Sequence, residues 1–183
     1  MPRRVGSGDR VYLRRPAERD RAEFLEGVKA SRRLYRSWAH PPSNAREFTQ
    51  YLRRLRGHDN EGYLVCRVED DAIVGVINVN EIVLGAFQGG YLGYYGFEPY
   101  AGEGYMSEGL KLVLRHAFSE LGLHRLEANI QPANAASTAL VQRAGFRLEG
   151  FSPRYLKVAG RWRDHERWAI TVEDWRDRRR SRR

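Results

Sequence analysis

Pro99-Tyr100-Ala101-Gly102-Glu103-Gly104-Tyr105-Met106-Ser107-Glu108 joins an aromatic, strand-like run at residues 91–97 to a helix with one clean apolar stripe. In that helix Met106, Leu110, Val113, Leu114, Ala117, Phe118 and Leu121 recur at helical spacing, while Lys111, Arg115 and Glu120 take the other face. Gly122 stops it. A loop of this kind directs backbone N–H groups at an anion and holds the anion at the positive end of a helix. Glycines let the backbone come close and adopt angles closed to other residues. Phosphate binding is the expectation.

Working outward, residues 125–131 read as a strand ending at Pro132. Asn134 is a good N-cap for a short helix through Leu140, Val141 and Ala144, with Gly145 as its stop and Phe146 packing behind it. Two better-known phosphate loops are excluded. The P-loop needs Gly-Lys-Ser/Thr after four spacer residues, and no such string occurs. The dinucleotide fingerprint needs an acidic residue ending a second parallel strand, and none stands at that distance. The Gly-x-Gly loop gains its meaning from the second element, Pro132-Ala133-Asn134-Ala135-Ala136-Ser137, further along the chain.

Together these strings resemble the GNAT superfamily of acyl-CoA N-acyltransferases, and within it the branch of the ribosomal-protein N-terminal acetyltransferases RimJ and RimL. The resemblance covers nearly the whole chain and is densest over residues 91–170. It is carried also by Leu92-Gly93-Tyr94, Ala144-Gly145-Phe146, Glu149-Gly150 and the hairpin string Gly160-Arg161-Trp162-Arg163-Asp164-His165. Three departures stand out. Ala101 occupies the position where the family loop usually opens on Gln or Arg, Val141 replaces a frequent general-acid tyrosine, and Asn129 replaces a frequent glutamate base. The loop amides survive these changes, whereas the family's usual acid and base do not.

The resemblance implies a mixed α/β fold: a largely antiparallel central sheet of about seven strands with helices on both faces. It implies transfer of an acetyl group from acetyl-CoA to a primary amine in a ternary complex. The acceptor it favours is a protein N-terminal α-amine, as on a ribosomal protein. Phe97 would meet the thioester and pantetheine through its backbone. Gly102, Glu103, Gly104, Tyr105, Met106 and Ser107 would hold the pyrophosphate, and Asn134 the pantetheine arm. Arg143 would face a CoA phosphate. Ser137 is the candidate acid, against a purely capping role, and Glu81 the candidate base. Trp38, Tyr94, Tyr155 and Asp164 are candidates for the acceptor side. Relatives also acylate antibiotics, polyamines and other small amines, and a CoA-binding sensor without catalysis or an RNA-associated basic protein are the rival classes.

Composition bounds the rest. With 183 residues and 42% hydrophobic content the chain suits a single domain, set at residues 1–173. Residues 174–183 carry six arginines against two aspartates and are expected to form a solvated, disordered tail with a possible ribosome or RNA contact. The formal net charge of +9 suits anionic partners, CoA included. A single cysteine, Cys66, lies in a strand-like run and reads as packing; its isolation excludes a disulfide framework and points to a cytoplasmic address. The five scattered histidines show no metal-ligand spacing, so no metal is expected. No apolar stretch is long enough to span a bilayer, and a monomer or homodimer is expected. The remaining segments read as a strand at 10–14, helices at 18–35 and 45–55, a hairpin over 63–68 and 72–82, and a final hairpin over 151–158 and 162–171.

Overall fold

A computed structural model describes residues 4–35 and 38–181. Eight strands form one sheet: β1 (Arg4–Ser7), β2 (Val11–Arg14), β3 (Glu61–Arg67), β4 (Ile73–Val83), β5 (Gly89–Gly96), β6 (Arg125–Ile130), β7 (Arg147–Val158) and β8 (Arg161–Thr171). Their order is β1-β2-β3-β4-β5-β6-β8-β7. Every neighbouring pair is antiparallel except β5 with β6. The extra strand relative to the expectation is β1, a short, partly exposed edge that lacks the alternation needed to read it from sequence.

The parallel pair matters most. β5 and β6 are in register only over Gly89–Arg125, Gly90–Leu126 and Tyr91–Glu127. Beyond that, β5 continues on β4 as far as Gly96, and β6 continues on β8 as far as Ile130. The two strands therefore part in mid-sheet and leave polar backbone edges facing one another. Such edges call for a partner, because an unpaired buried amide costs about as much as a lost hydrogen bond.

Helices cover both faces. On one side lie α1 (Arg21–Ala30), α2 (Arg32–Tyr35) and α3 (Ala45–Arg54), over a core containing Phe24, Phe48, Tyr51, Leu64, Val76 and Phe97. The second half of the expected 18–35 helix is broken at Ser31, whose hydroxyl donates to the Gly27 carbonyl. Cys66 is buried in this core, and burial pushes its thiol up to about 11, which fits packing and not reactivity.

On the other face lie α4 (Tyr105–Ser119), α5 (Ala135–Ala144) and α6 (Val172–Arg180). The α4 stripe is realised apart from Leu121, which falls just past the helix end: Leu110, Val113, Leu114 and Ala117 are each at most 1% exposed. Each fully buried Leu or Val contributes roughly 1.5–3 kcal/mol. Gly109 lets α4 approach β3 closely, since a Cβ there would stand 2.9 Å from the Val65 methyls. Gly145 closes α5 in a left-handed conformation (φ 103°), as its position predicted.

The expected disordered tail needs correction. Residues 172–180 form α6, begun by a capping box between Thr171 and Asp174. Trp175 packs on Phe118 at 5.6 Å between ring centroids, and Asp174 pairs with Arg147 at 2.9 Å. One buried-side aromatic and a good cap hold the segment despite its arginine content. Its final residues, 182–183, lie outside the described part. Among the described residues no helix is long and apolar enough to cross a membrane.

Candidate active site

The loop after β5 enters α4 through two left-handed glycines, Gly102 (φ 85°) and Gly104 (φ 83°). Gly104 is the N-cap, and no side chain caps the helix. The first intrahelical bond is from the Glu108 N–H to the Gly104 carbonyl at 3.1 Å. The N–H groups of Tyr105, Met106 and Ser107 thus have no acceptor among the described residues and point out of the helix end. α5 differs, because Asn134 caps it by accepting from the Ser137 N–H at 3.2 Å.

The loop is braced from outside. Arg10 donates to the Glu103 carbonyl at 3.1 Å and pairs with Glu108 at 3.2 Å, while its guanidinium lies over the Tyr105 ring. Arg67 covers Tyr100 and Tyr105. An anion site formed this way needs little ordering when its ligand arrives.

A cleft of about 390 Å³ runs from this helix end along the Tyr94–Gly96 end of β5 to the start of α5. It brings together Gly102, Gly104, Met106 and Ser107 of the loop, Asn134, Ser137 and Arg143 of α5, Tyr94 of β5, and Trp38. Tyr35, Tyr95, Tyr100 and Leu140 complete the walls and were not foreseen from sequence. Their aromatic type was visible, but aromatic residues serve cores as readily as sites. Tyr35 donates to the Gly96 carbonyl at 3.1 Å and stacks edge-on against Tyr95, which fixes the far wall.

At the centre the hydroxyls of Tyr94 and Ser137 stand 2.5 Å apart. Ser137 therefore spends its side chain on Tyr94 and not on reinforcing the helix cap, which Asn134 supplies. Burial pushes the Tyr94 phenol up to about 12, against a smaller lowering by the Ser137 hydrogen bond. Tyr94 thus keeps its proton at neutral pH. The Asn134 amide nitrogen has no protein partner among the described residues and stays available to a ligand.

Several candidates fall elsewhere. Phe97 does not reach the cleft: its ring is 1% exposed within the core, its N–H donates to the Val74 carbonyl and its own carbonyl accepts from Tyr100. Strand pairing and the following turn have taken the backbone groups assigned to the thioester. Glu81 sits exposed on an irregularity of β4 (φ 52°), outside the cleft. Asp164 accepts from the Arg154 N–H at 2.7 Å and braces the β7–β8 hairpin. Tyr155 lies beside His165 in the same hairpin, 6.2 Å between ring centroids. Glu103 and Tyr105 shape the loop without lining the cleft by their side chains. Among the described residues no cluster of His, Cys, Asp or Glu is placed to hold a metal ion.

This geometry fits an acyl-CoA thioester: uncapped amides and Arg143 for the phosphates, parted strand edges for the pantetheine amides, and hydroxyls for the sulfur. The comparisons with known proteins agree. The profile of the acetyltransferase (GNAT) domain matches residues 10–147. The probable N-acetyltransferase YjcK of Bacillus subtilis is 34% identical over 129 residues, 70% of this chain and 71% of that protein. The ribosomal protein uS5-alanine N-acetyltransferase of Escherichia coli is 38% identical over 107 residues, 58% of this chain and 55% of that protein. Among solved structures, Mycobacterium smegmatis RimJ in complex with CoA-disulfide superposes with a TM-score of 0.82 at 28% identity, over 94% of this chain and 86% of that one.

Proposed function

Because the chain belongs to the GNAT acetyltransferase family and is an acetyl-CoA-dependent N-acetyltransferase, we propose that its acceptor is a protein N-terminal α-amine. One observation carries this: among the described residues, the cleft is lined by no carboxylate and no imidazole. A site without its own base must receive an amine that is already neutral. An α-amine with a pKa near 7.8 is about a quarter neutral at pH 7.3, whereas a lysine near 10.4 is neutral at about one part in a thousand. The similarity to an enzyme named for acetylating the alanine of uS5 supports a small first residue.

Acetyl-CoA supplies the acetyl group as a thioester. The amine nitrogen bonds to the acetyl carbon as the carbon–sulfur bond breaks, the amine releases a proton to water, and the sulfur must gain one. Ser137 and Tyr94 serve that last need. The phenol is the stronger acid of the two, so Tyr94 donates to the Ser137 oxygen and leaves the serine proton directed into the cleft. The N-terminus of α5 adds positive potential where negative charge grows on sulfur. The amides from Gly102 to Ser107 anchor the phosphates, and the Asn134 amide and the free edge of β5 orient the pantetheine. Trp38 and Tyr35 close the acceptor side with apolar surface.

The test uses a peptide beginning with alanine and carrying one internal lysine, together with spermidine as a small polyamine. Fragmentation mass spectrometry should place the acetyl group on the α-amine, and kcat/KM should rise with pH only up to the α-amine pKa. Acetylation of the lysine, or faster turnover of spermidine, overturns the assignment.

A further inference from the structure

Beside the cleft, and sharing Arg143 with it, α4, α5 and α6 enclose a groove of about 240 Å³ in which every charged side chain is cationic. Lys111 and Arg115 come from α4, Arg143 from α5, and Arg178 and Arg179 from α6. None of the five makes an ion pair among the described residues. Arg115 donates to the Ser7 carbonyl, Arg178 to the Arg143 carbonyl, and Arg179 lies over the Trp175 ring. These contacts hold the guanidinium groups in place without neutralising them.

The groove does not end there. Leu112, Arg115 and Arg179 also line a second, wider hollow of about 870 Å³, which adds Arg4, Arg15 and Arg19 and a single carboxylate, Glu120. The two hollows make one continuous basic strip along the outer side of α4. Arg15 pairs with Glu61 and Arg19 lies beside Asp20, but the five cations of the first groove have no such partner among the described residues, and holding like charges together in that way is unfavourable. A polyanion laid along the strip relieves that repulsion and releases its own condensed counterions.

We infer that this strip binds the phosphate backbone of single-stranded RNA. Four of the five charges in the first groove are guanidinium groups, whose planar fork matches phosphate oxygens in pairs. A membrane surface fits poorly, because the strip offers no exposed apolar ridge to insert: Val172 is buried and Trp175 is turned onto Phe118. The helix that completes the strip is α6, the segment whose arginine content alone suggests a mere solvated tail. Arg143 lines both this groove and the catalytic cleft, so CoA is the necessary competitor in any test.

The experiment is fluorescence anisotropy of the full chain with a labelled single-stranded RNA of about 20 nucleotides, titrated in KCl from about 50 to 200 mM. Five phosphate contacts predict a slope of log affinity against log salt near −3.5, a loss of about a hundred-fold across that range. The double variant Arg115→Gln/Arg179→Gln should bring the slope to about −2, with peptide acetylation unchanged. Arg46→Gln/Arg53→Gln on α3 removes the same charge elsewhere and should leave binding as it was. Equal weakening by the α3 variant would reduce the effect to net charge. Complete displacement by CoA would make the groove part of the cofactor site, and equal binding of polyglutamate would make the partner an acidic peptide. Any of these, or no binding at the lowest salt, overturns the inference.

Discussion

The Tyr94–Ser137 pair can be taken apart by a double-mutant cycle. Ser137→Ala removes a hydroxyl that would donate to the departing sulfur, and hydrogen bonds to charged groups contribute about 1.5–3 kcal/mol. A barrier raised by that amount lowers kcat about ten- to a hundred-fold. Tyr94→Phe leaves the serine proton in place but removes the group that orients it from 2.5 Å. A neutral hydrogen bond contributes about 0.5–1.5 kcal/mol, so kcat should fall only about two- to ten-fold. If the proposed relay holds and Tyr94 acts through Ser137, the double variant should be no worse than Ser137→Ala, with a coupling equal to the whole effect of Tyr94→Phe. The assay is CoA release at saturating peptide, with KM for acetyl-CoA expected to stay constant because the phosphate site we propose is the loop and not this pair. Multiplying effects would show two independent roles. Normal kcat in both single variants, with lowered melting temperatures, would show that the pair is structural and refute the relay.

Acetyl-CoA at about a hundred times its Kd should stabilise the protein by about 2.7 kcal/mol, and Gly104→Pro should abolish the gain. Gly104 stands at φ 83°, which proline cannot adopt, so a folded variant with an undiminished shift would move the phosphate site elsewhere. Trp175→Ala should lower stability by about 1–3 kcal/mol in urea denaturation, less than a fully buried tryptophan would, because the ring is only partly covered by Phe118; no change would restore the picture of a loose tail. Burial pushes the phenols of Tyr12, Tyr35 and Tyr94 up to about 12 from an ordinary 10.0, and raises those of Tyr51, Tyr63 and Tyr95 as well. The folded chain therefore keeps protons that the unfolded chain has lost, so stability should be complete below pH 10 and fall as pH rises from there towards 12. Tyrosinate absorbance should then rise together with unfolding, and free titration of all ten tyrosines in the folded protein would contradict the burial.

Elements that announce themselves by local chemistry were legible in the sequence. The α4 stripe, the Gly102–Gly104 loop, the Asn134 cap and the Gly145 stop each depend on residues near in the chain, and each lies where its pattern puts it. Contacts across long separations were not. Tyr94 and Ser137 are 43 residues apart, and nothing in either neighbourhood reveals that α5 sets one hydroxyl upon the other. Phe97 and Asp164 stand outside the cleft for a related reason. Residue type marked them as useful, but the strand register gave the Phe97 amide to Val74 and hairpin geometry gave the Asp164 carboxylate to Arg154. In α6 the arginine count outweighed two quieter signals, the Thr171–Asp174 cap and the lone Trp175, which together suffice for a docked helix.

Hydrogen–deuterium exchange of the wild-type chain with and without acetyl-CoA tests the placement of the acetyl donor most directly. Among the described residues the Tyr105, Met106 and Ser107 amides lack acceptors, and the Tyr94–Gly96 edge of β5 has no strand on its β6 side. A donor seated in the cleft should slow exchange most at 102–107 and at 94–96, with smaller protection at the start of α5. Unchanged exchange in both segments, with protection concentrated elsewhere in the chain, would contradict the assignment of the cleft.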